Sequence, residues 1–231
     1  MIRVRRSDDR GQANHDWLET RYTFSFADYH DADHMGHGSL RVLNEDRVAP
    51  GRGFPTHGHR DMEIVTYVLE GALEHRDSMG NGSVLRPGEV QLMSAGTGVT
   101  HSEFNPSSDE PLHLLQMWIL PARVRTEPRY EQKEFTTHER RGRLRLVVSP
   151  DGADESLTIG QNARMYVSLL APGDAIRHEV PPDQTAWLHV ARGALRLADD
   201  ELGAGDGAAI DGAFELTADA DSELVLWETP R

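Results

Sequence analysis

The sequence predicts an all-β protein built from two similar halves. Its apolar residues occur in short runs rich in Val, Ile and Leu, and Gly, Pro or Asp ends each run after several residues. Runs of this length between such turn residues are typical of strands in a sandwich or barrel, whereas no long amphipathic helical pattern is present. A weak internal repeat indicates that the β domain is duplicated.

Each apolar run is predicted to be one strand. Examples are Ser39-Leu-Arg-Val-Leu, Glu63-Ile-Val-Thr-Tyr-Val-Leu and Leu144-Arg-Leu-Val-Val. Turn sequences separate the runs, among them Glu70-Gly71, Pro87-Gly88, Asp151-Gly152, Pro172-Gly173 and Asp211-Gly212. Glycine supplies the positive φ that tight turns need, so this punctuation favours strands over helices.

A shift of 122 residues aligns the two halves. It lays Gly51 on Gly173, and it lays Val68-Leu-Glu-Gly-Ala-Leu on Val190-Ala-Arg-Gly-Ala-Leu. Residues 121–143 lie between the copies and are rich in charge, which is typical of a connecting segment. We therefore predict one domain over residues 1–135 and a second over residues 140–231.

Composition excludes several classes of protein. The 231 residues include no cysteine, which rules out disulfides, thiolate-bound clusters and cysteine nucleophiles. The net charge of −14 repels a phosphate backbone, so we expect no direct nucleic-acid partner. No apolar run is long enough to span a membrane, and the first residues, Met1-Ile-Arg-Val-Arg-Arg, precede no apolar signal stretch. We expect a cytoplasmic protein with no membrane partner.

The histidines are distributed unevenly. Nine of the twelve precede residue 115, and none follows His189. His57 and His59 are two residues apart, as are His101 and Glu103, so each pair faces one side of an extended strand. Four donors can thus converge from two strands. Three neutral imidazoles and a carboxylate suit Fe, Mn, Ni, Cu or Zn, and an octahedral ion would keep two positions for a substrate or dioxygen.

Glu63 is a competing candidate for the carboxylate ligand, because it has the same parity as His57 and His59 if no bulge intervenes. A lone His-x-His sequence is more often a pair of surface histidines, and it is the second pair that favours a metal. In the aligned second half, Glu179 and Pro181 stand opposite His57 and His59. The second half is therefore expected to lack metal ligands.

Other dense or apolar clusters are given structural interpretations. His30, His34 and His37 are expected in a solvated loop rather than in a second metal site. His75 and His113 lie in strand-like runs and are expected to be hydrogen-bonded by their neighbours. Four large residues are expected in the core, with the wall of an aromatic-substrate pocket as the alternative: Met93, Phe104, Met117 and Trp118.

Several motifs resemble a known family. Gly51-Arg-Gly-Phe-Pro-Thr-His57-Gly-His59-Arg-Asp-Met-Glu63, followed by Gly71, is similar to the first cupin motif, and Gly98-Val-Thr-His101-Ser-Glu-Phe-Asn105 is similar to the end of the second. The sequence around these motifs resembles the pirin family more narrowly, from Asn14-His-Asp-Trp-Leu through Gln91-Leu-Met-Ser-Ala-Gly-Thr-Gly to Pro128-Arg-Tyr-Glu-Gln. The resemblance covers about the first 135 residues and is highly specific there.

The resemblance to pirin implies a bicupin, two double-stranded β-helix barrels packed face to face, with one metal in the first barrel. Carried over residue by residue, it implies the ligands His57, His59, His101 and Glu103. Two departures from the general cupin pattern, seven residues between Glu63 and Gly71 and Gly96 in place of a proline, look like pirin-type variants. The pirin pattern takes its carboxylate ligand two residues after the last histidine, not at Glu63.

For function, the resemblance implies a quercetin 2,3-dioxygenase, which opens the heterocycle of a flavonol with O2 and releases CO. Fe(2+) is the expected cofactor, with Ni, Cu, Mn or Zn as alternatives. Glu103 or Glu63 is the expected base for the flavonol hydroxyl. The resemblance also implies an alternative, a metal-binding regulatory protein that acts through a protein partner, and a third hypothesis is a metal-free cupin for sugars or other small molecules. A monomer is expected, because the two barrels already pair internally.

Overall fold

Twenty-two strands and one four-residue helix form the computed structural model, which describes residues 1–231. The strands of the first half are β1 (Ile2–Arg5), β2 (Gly11–Asn14), β3 (Leu18–Tyr22), β4 (Leu40–Val48), β5 (Gly53–His59), β6 (Glu63–Glu70), β7 (Leu73–Asp77), β8 (Gly82–Leu85), β9 (Glu89–Ser94), β10 (Val99–Phe104), β11 (Leu112–Ile119) and β12 (Arg129–Glu134). Helix α1 (Thr137–Arg140) follows. No helix of the structure has the length and apolarity needed to cross a membrane.

The second half repeats the arrangement with shorter connections. Its strands are β13 (Arg145–Ser149), β14 (Leu157–Thr158), β15 (Arg164–Leu170), β16 (Ala175–Glu179), β17 (Gln184–Arg192), β18 (Ala194–Leu197), β19 (Asp200–Gly203), β20 (Gly207–Ile210), β21 (Ala213–Ala218) and β22 (Ser222–Pro230). Short 3-10 turns lie at Ser7–Asp9 and Ala153–Glu155.

Each half combines a seven-stranded sheet with a four-stranded sheet. In the first half their orders are β12-β9-β6-β11-β4-β3-β2 and β5-β10-β7-β8, and in the second they are β1-β20-β17-β22-β15-β13-β14 and β16-β21-β18-β19. Every strand pair is antiparallel except β13 with β14. The predicted all-β class with a duplicated β domain is confirmed.

Strand β1 crosses from one half to the other. It pairs with β20, from Ile2 opposite Ile210 to Arg5 opposite Gly207, and so forms the edge of the second large sheet. The division into residues 1–135 and 140–231 stays a prediction, and the structure adds that the first five residues contribute to the sheet of the other half.

The predicted repeat is visible in the strand registers. Thr66 of β6 pairs with Gln116 of β11, and Leu188 of β17, which lies 122 residues after Thr66, pairs with Leu226 of β22. The same shift carries β4, β5 and β7 onto β15, β16 and β18. Later strands correspond at a smaller shift because the second half has shorter loops. Structurally equivalent positions can therefore be compared between the two barrels.

The largest apolar cluster joins the two halves. Its 24 buried residues come from both large sheets and include Met117 and Trp227. The Trp227 indole N–H lies 3.1 Å from the Met117 sulfur, and Phe24 meets Trp187 edge to face at 4.9 Å. A buried aromatic side chain contributes several kcal/mol through area and close packing, so this shared layer is a main stabilising contact between the barrels.

The interiors of the two barrels differ. A cluster of 16 buried apolar residues fills the second barrel, including Leu188 and Leu226. In the first barrel the apolar clusters hold seven and four residues, and buried polar side chains such as Thr66, Gln91 and Glu103 take up other inward positions. Buried polar groups need hydrogen-bond partners, so the first barrel must supply a network that the second does not need.

Replacing Trp227 tests the shared layer. We expect Trp227→Ala to lower the free energy of unfolding by about 3–5 kcal/mol, because the cavity would lie where both barrels meet. Guanidinium denaturation followed by circular dichroism measures this change. Leu120→Ala, at a side chain that is 44% exposed, serves as the control and should change the value by less than about 0.5 kcal/mol. A loss below about 1 kcal/mol for Trp227→Ala would contradict this account.

Candidate metal centre

Neighbouring strands β5 and β10 bring three histidines together. His57 of β5 lies directly opposite His101 of β10, and His59 lies opposite Val99. Side chains alternate along a strand, so His57, His59 and His101 project from the same face of the small sheet. A bulge in this pair, between His101 and Glu103, interrupts the register below the histidines.

The three imidazole nitrogens converge. His101 Nε2 lies 2.9 Å from His59 Nε2 and 3.1 Å from His57 Nε2. Two nitrogens bound at right angles to one ion, each about 2.1 Å from it, lie about 3.0 Å apart. The His57 Nδ1–H donates to the Pro55 carbonyl at 2.8 Å, which leaves the Nε2 lone pair directed toward the cluster. The donor set therefore fits a single transition-metal ion.

Burial and neighbouring charges keep the His59 and His101 rings neutral. Burial, with the neighbouring His57 ring, lowers the pKa of His59 to about 4. Burial and the adjacent imidazoles lower the pKa of His101 to about 3. Because metals bind the neutral imidazole, the cluster is ready to bind an ion at neutral pH without first losing protons from these two rings.

Glu103 lies on the same strand as His101 but deeper in the barrel. Its carboxylate and ring nitrogens of His75 and His101 lie within 4.8 Å of one another, and a second group within that limit contains His57, His59 and His101. The structure thus gathers the three predicted histidines in one group and joins Glu103 to it through His101. Burial raises the pKa of Glu103 to about 7, and the charge of Asp46 adds to the effect.

Glu63 lies elsewhere. The chain turns between β5 and β6, with Asp61 at a φ of 51°, and Glu63 begins a strand of the other sheet. Its carboxylate accepts a hydrogen bond from the Ser94 hydroxyl at 2.7 Å and contacts Gly160 of the second half. The condition for Glu63 to share a face with His57 and His59, an unbroken strand, is not met, because the turn at Asp61 carries the chain to the other sheet.

The place of His75 beside this centre is not predicted by the sequence pattern. Its Nε2 lies 3.2 Å from Asp77 Oδ2, as expected for a hydrogen-bonded strand histidine, and His113 is likewise 2.9 Å from Glu45. His75 is also paired opposite Glu103 across β7 and β10, and its ring centroid is 5.3 Å from that of His101. The sequence shows which face of its strand His75 occupies relative to its neighbours. It does not show that β7 pairs with β10, which is what places His75 opposite Glu103.

The loop cluster of histidines forms no metal group in the structure. His34 Nδ1 lies 2.7 Å from Asp31, and His37 Nε2 lies 2.8 Å from the Thr185 hydroxyl of the second half. His30 is exposed. The loop is thus partly solvated, as expected, but His37 ties it to the other barrel.

The four candidate core residues divide into two kinds. Met93 and Met117 are fully buried, which confirms their assignment to the core. Phe104 and Trp118 are partly exposed. Trp118 meets the His59 ring edge to face at 4.9 Å, so it forms a wall beside the histidines.

The second barrel has no corresponding donors. Glu179, aligned with His57, pairs with Ala213 of β21, and its neighbour His178 pairs with Phe214. His178 Nε2 instead lies 2.7 Å from the buried Glu228 carboxylate. No group of three potential metal donors is found in this half.

Comparisons with known proteins follow this division of the chain. Residues 3–119 match the family model described as Pirin, and residues 146–228 match the model described as Quercetinase C-terminal cupin domain. Together with the sheets described above, these matches confirm the predicted pair of cupin barrels.

Similar proteins extend over the whole chain. A protein of Escherichia coli (strain K12) named quercetin 2,3-dioxygenase is 45% identical over 232 residues, which cover 100% of this chain and 99% of that one. The crystal structure of the bacterial pirin YhhW from Escherichia coli in complex with nickel(II) is 44% identical, with a TM-score of 0.94 and coverage of 100% and 99%. A quercetin 2,3-dioxygenase structure from Acinetobacter baumannii, at 24% identity, a TM-score of 0.74 and coverage of 95% and 84%, shows likeness of fold alone.

Removing one histidine tests the metal centre. We expect His101→Ala, after loading with Ni(2+) and dialysis, to retain less than about a tenth of the wild-type metal, because His101 belongs to both donor groups. Elemental analysis measures the content. His138→Ala, at an exposed histidine outside the barrel, and Glu63→Gln should both keep the wild-type content. Equal metal in His101→Ala and the wild type would contradict the assignment.

Asp46 provides a test of the buried charge beneath the centre. Burial raises the pKa of Asp46 to about 7, so the folded protein holds this proton more tightly than the unfolded chain does. The neutral carboxyl group therefore favours folding fully at low pH, and this contribution is lost between about pH 4 and pH 7. Asp46→Asn stays neutral, so its unfolding free energy relative to the wild type should rise over this range by about 4 kcal/mol, because the pKa moves from 3.8 to about 7 and a tenfold change in proton affinity is worth about 1.4 kcal/mol.

Denaturation curves recorded at a series of pH values measure the difference. Asp183→Asn, at an exposed carboxylate, is the control and should show no such trend. A difference between Asp46→Asn and the wild type that stays constant with pH would overturn the assigned cause.

Proposed function

Since this chain belongs to the pirin family, we propose that it is a metal-dependent dioxygenase that opens the heterocyclic ring of flavonols such as quercetin with O2 and releases CO. The observation that carries the proposal is the convergence of the His57 and His59 nitrogens on His101 at 3.1 and 2.9 Å, with the Glu103 carboxylate buried beside His101. The quercetin 2,3-dioxygenase relative, similar over its full length, supports this choice of substrate.

We propose that His57, His59, His101 and Glu103 hold one divalent ion. Fe(2+) is our first candidate, with Ni, Cu, Mn or Zn as alternatives, and the nickel complex of the similar pirin supports a divalent metal at such a centre. When bound, the ion would supply Lewis-acid chemistry, lowering the pKa of a flavonol hydroxyl and leaving positions for substrate and dioxygen.

The role of base falls to Glu103. A base must lie within hydrogen-bond reach of the proton it takes, and the Glu103 carboxylate lies beside His101 in the group where substrate would bind. Its carboxylate is therefore our choice to take the proton of the flavonol 3-hydroxyl. Glu63, the other candidate, bonds Ser94 on the other sheet, away from the histidines.

Trp118 would position the substrate. Its ring lies 4.9 Å from His59 and 5.3 Å from Phe26, which extends an aromatic wall away from the histidines. A flat, aromatic substrate gains contact area and edge-to-face interactions against such a wall. The wall also shields one side of the centre from water.

The proposal extends to the cellular location, oligomeric state and partners of the protein. We place the protein in the cytoplasm as a monomer, because the apolar layer that joins the barrels is already covered within the chain. The net charge of −14 disfavours direct contact with nucleic acid. Regulation through a protein partner is the competing function, and the following assay separates the two.

Flavonol turnover tests the proposal. Metal-loaded protein mixed with quercetin in air should bleach the flavonol absorbance band and release CO, and both signals should be lost in His101→Ala. Glu103→Gln should slow turnover by at least about 100-fold, because it removes the base and one proposed ligand. Glu63→Gln, the matched carboxylate control, should turn over at a rate close to wild type. A metal-bound protein that leaves quercetin intact would overturn the enzyme assignment and favour the regulatory function.

A further inference from the structure

The Glu103 carboxylate is held from below by an amide. Gln116 of β11 donates through Nε2 to Glu103 Oε2 at 2.9 Å. The other carboxylate oxygen, Oε1, has a longer contact of 3.5 Å with the Thr66 hydroxyl. The two oxygens of Glu103 are therefore not equivalent, since one is bound by a good donor and the other is not.

Thr66 fixes the orientation of that amide. Its hydroxyl donates to Gln116 Oε1 at 2.9 Å, and Gln91 Nε2 donates in turn to the Thr66 oxygen at 3.4 Å. Along this series Gln91 donates to Thr66, Thr66 donates to Gln116, and Gln116 donates to Glu103. Turning the Gln116 amide over would set its carbonyl oxygen against the Glu103 carboxylate, two acceptors with no proton between them, so a single orientation is favoured.

The second barrel lacks this series at the equivalent positions. Thr66 pairs with Gln116 and with Gln91 in the first barrel. The equivalent residue Leu188 pairs with Leu226 and with Ala208 in the second. All three polar positions are thus apolar in the barrel that has no histidine cluster. The fold closes without the series, which indicates that the series serves the site and not the barrel.

We propose that Gln116 is a positioning residue that, oriented by Thr66, occupies Oε2 of Glu103 and leaves Oε1 as the oxygen that faces metal and substrate. The inference rests on the metal centre of the proposed function. Groups that orient a metal ligand typically change metal affinity by 10–100-fold when they are removed. The series should therefore be visible in metal binding as well as in turnover.

Gln116→Leu, which installs the residue of the second barrel, tests the proposal. Calorimetric titration with Ni(2+) should show a dissociation constant 10–100-fold higher than in the wild type, and the ligand-field absorbance of bound nickel should shift because Glu103 is no longer held in one orientation. The thermal midpoint of the metal-free protein should stay within a few degrees. Gln161→Leu, at an amide that donates to the Leu120 carbonyl and has no contact with this series, is the matched control and should bind nickel as the wild type does.

Thr66 supplies a second, nearly isosteric test in case Gln116→Leu folds poorly. Thr66→Val removes the hydroxyl that orients the amide and should weaken nickel binding in the same direction but less, whereas Thr66→Ser keeps the hydroxyl and should restore it. If Gln116→Leu and Thr66→Val bind nickel within about threefold of the wild type with an unchanged spectrum, the positioning role is wrong.

The two proposals fail in different ways. If the wild type binds nickel and His101→Ala binds it equally well, the proposed metal centre itself is wrong, and the role of Gln116 falls with it. If the wild type binds nickel through His101 but the Gln116 and Thr66 variants bind it as tightly as the wild type, only the positioning role is overturned.

Discussion

The antiparallel register of β5 against β10 is the constraint on which the site depends. Because His101 lies directly opposite His57, its Nε2 comes to within 3.1 Å of the Nε2 atoms of both His57 and His59 without any long loop to position them. Each residue of slip in this pairing would turn one set of side chains to the other face of the sheet. The large sheet behind it, packed on the second barrel, makes such a slip costly, so the fold rigidly sets the spacing of the donors.

The two barrels show what a site demands of the same fold. The second barrel packs Leu188 against Leu226 in an interior of 16 apolar residues, as expected for a barrel whose interior serves stability alone. The first barrel places Thr66 and Gln116 at those positions and connects them to the buried Glu103. Burying a carboxyl group costs free energy that hydrogen bonds only partly offset, so the first barrel depends on its shared apolar layer with the second for stability.

That layer also explains why neither half is self-contained. Strand β1 completes the sheet of the second barrel, His37 from a first-barrel loop bonds Thr185, and Trp227 packs on Met117. The second barrel holds no group of three potential metal donors, and its large sheet packs on the large sheet of the first barrel. The apolar area buried in this layer stabilises both halves.

The sequence by itself determined the all-β class, the duplication and the three histidines that the structure brings together, because strand parity and turn residues act over a few neighbouring positions. The aligned repeat, with Glu179 and Pro181 opposite His57 and His59, also predicts a second half without metal ligands. Only the tertiary structure decided the place of Glu63, which a turn at Asp61 moves to another sheet, and the place of His75, which β7 brings opposite Glu103. The tertiary structure likewise decided the contact of the Gln116 amide with Glu103 and the pairing of β1 with the sheet of the other barrel. Each depends on which strand lies beside which, and pairing between strands far apart in the chain is set by the packing of the whole barrel rather than by any local pattern.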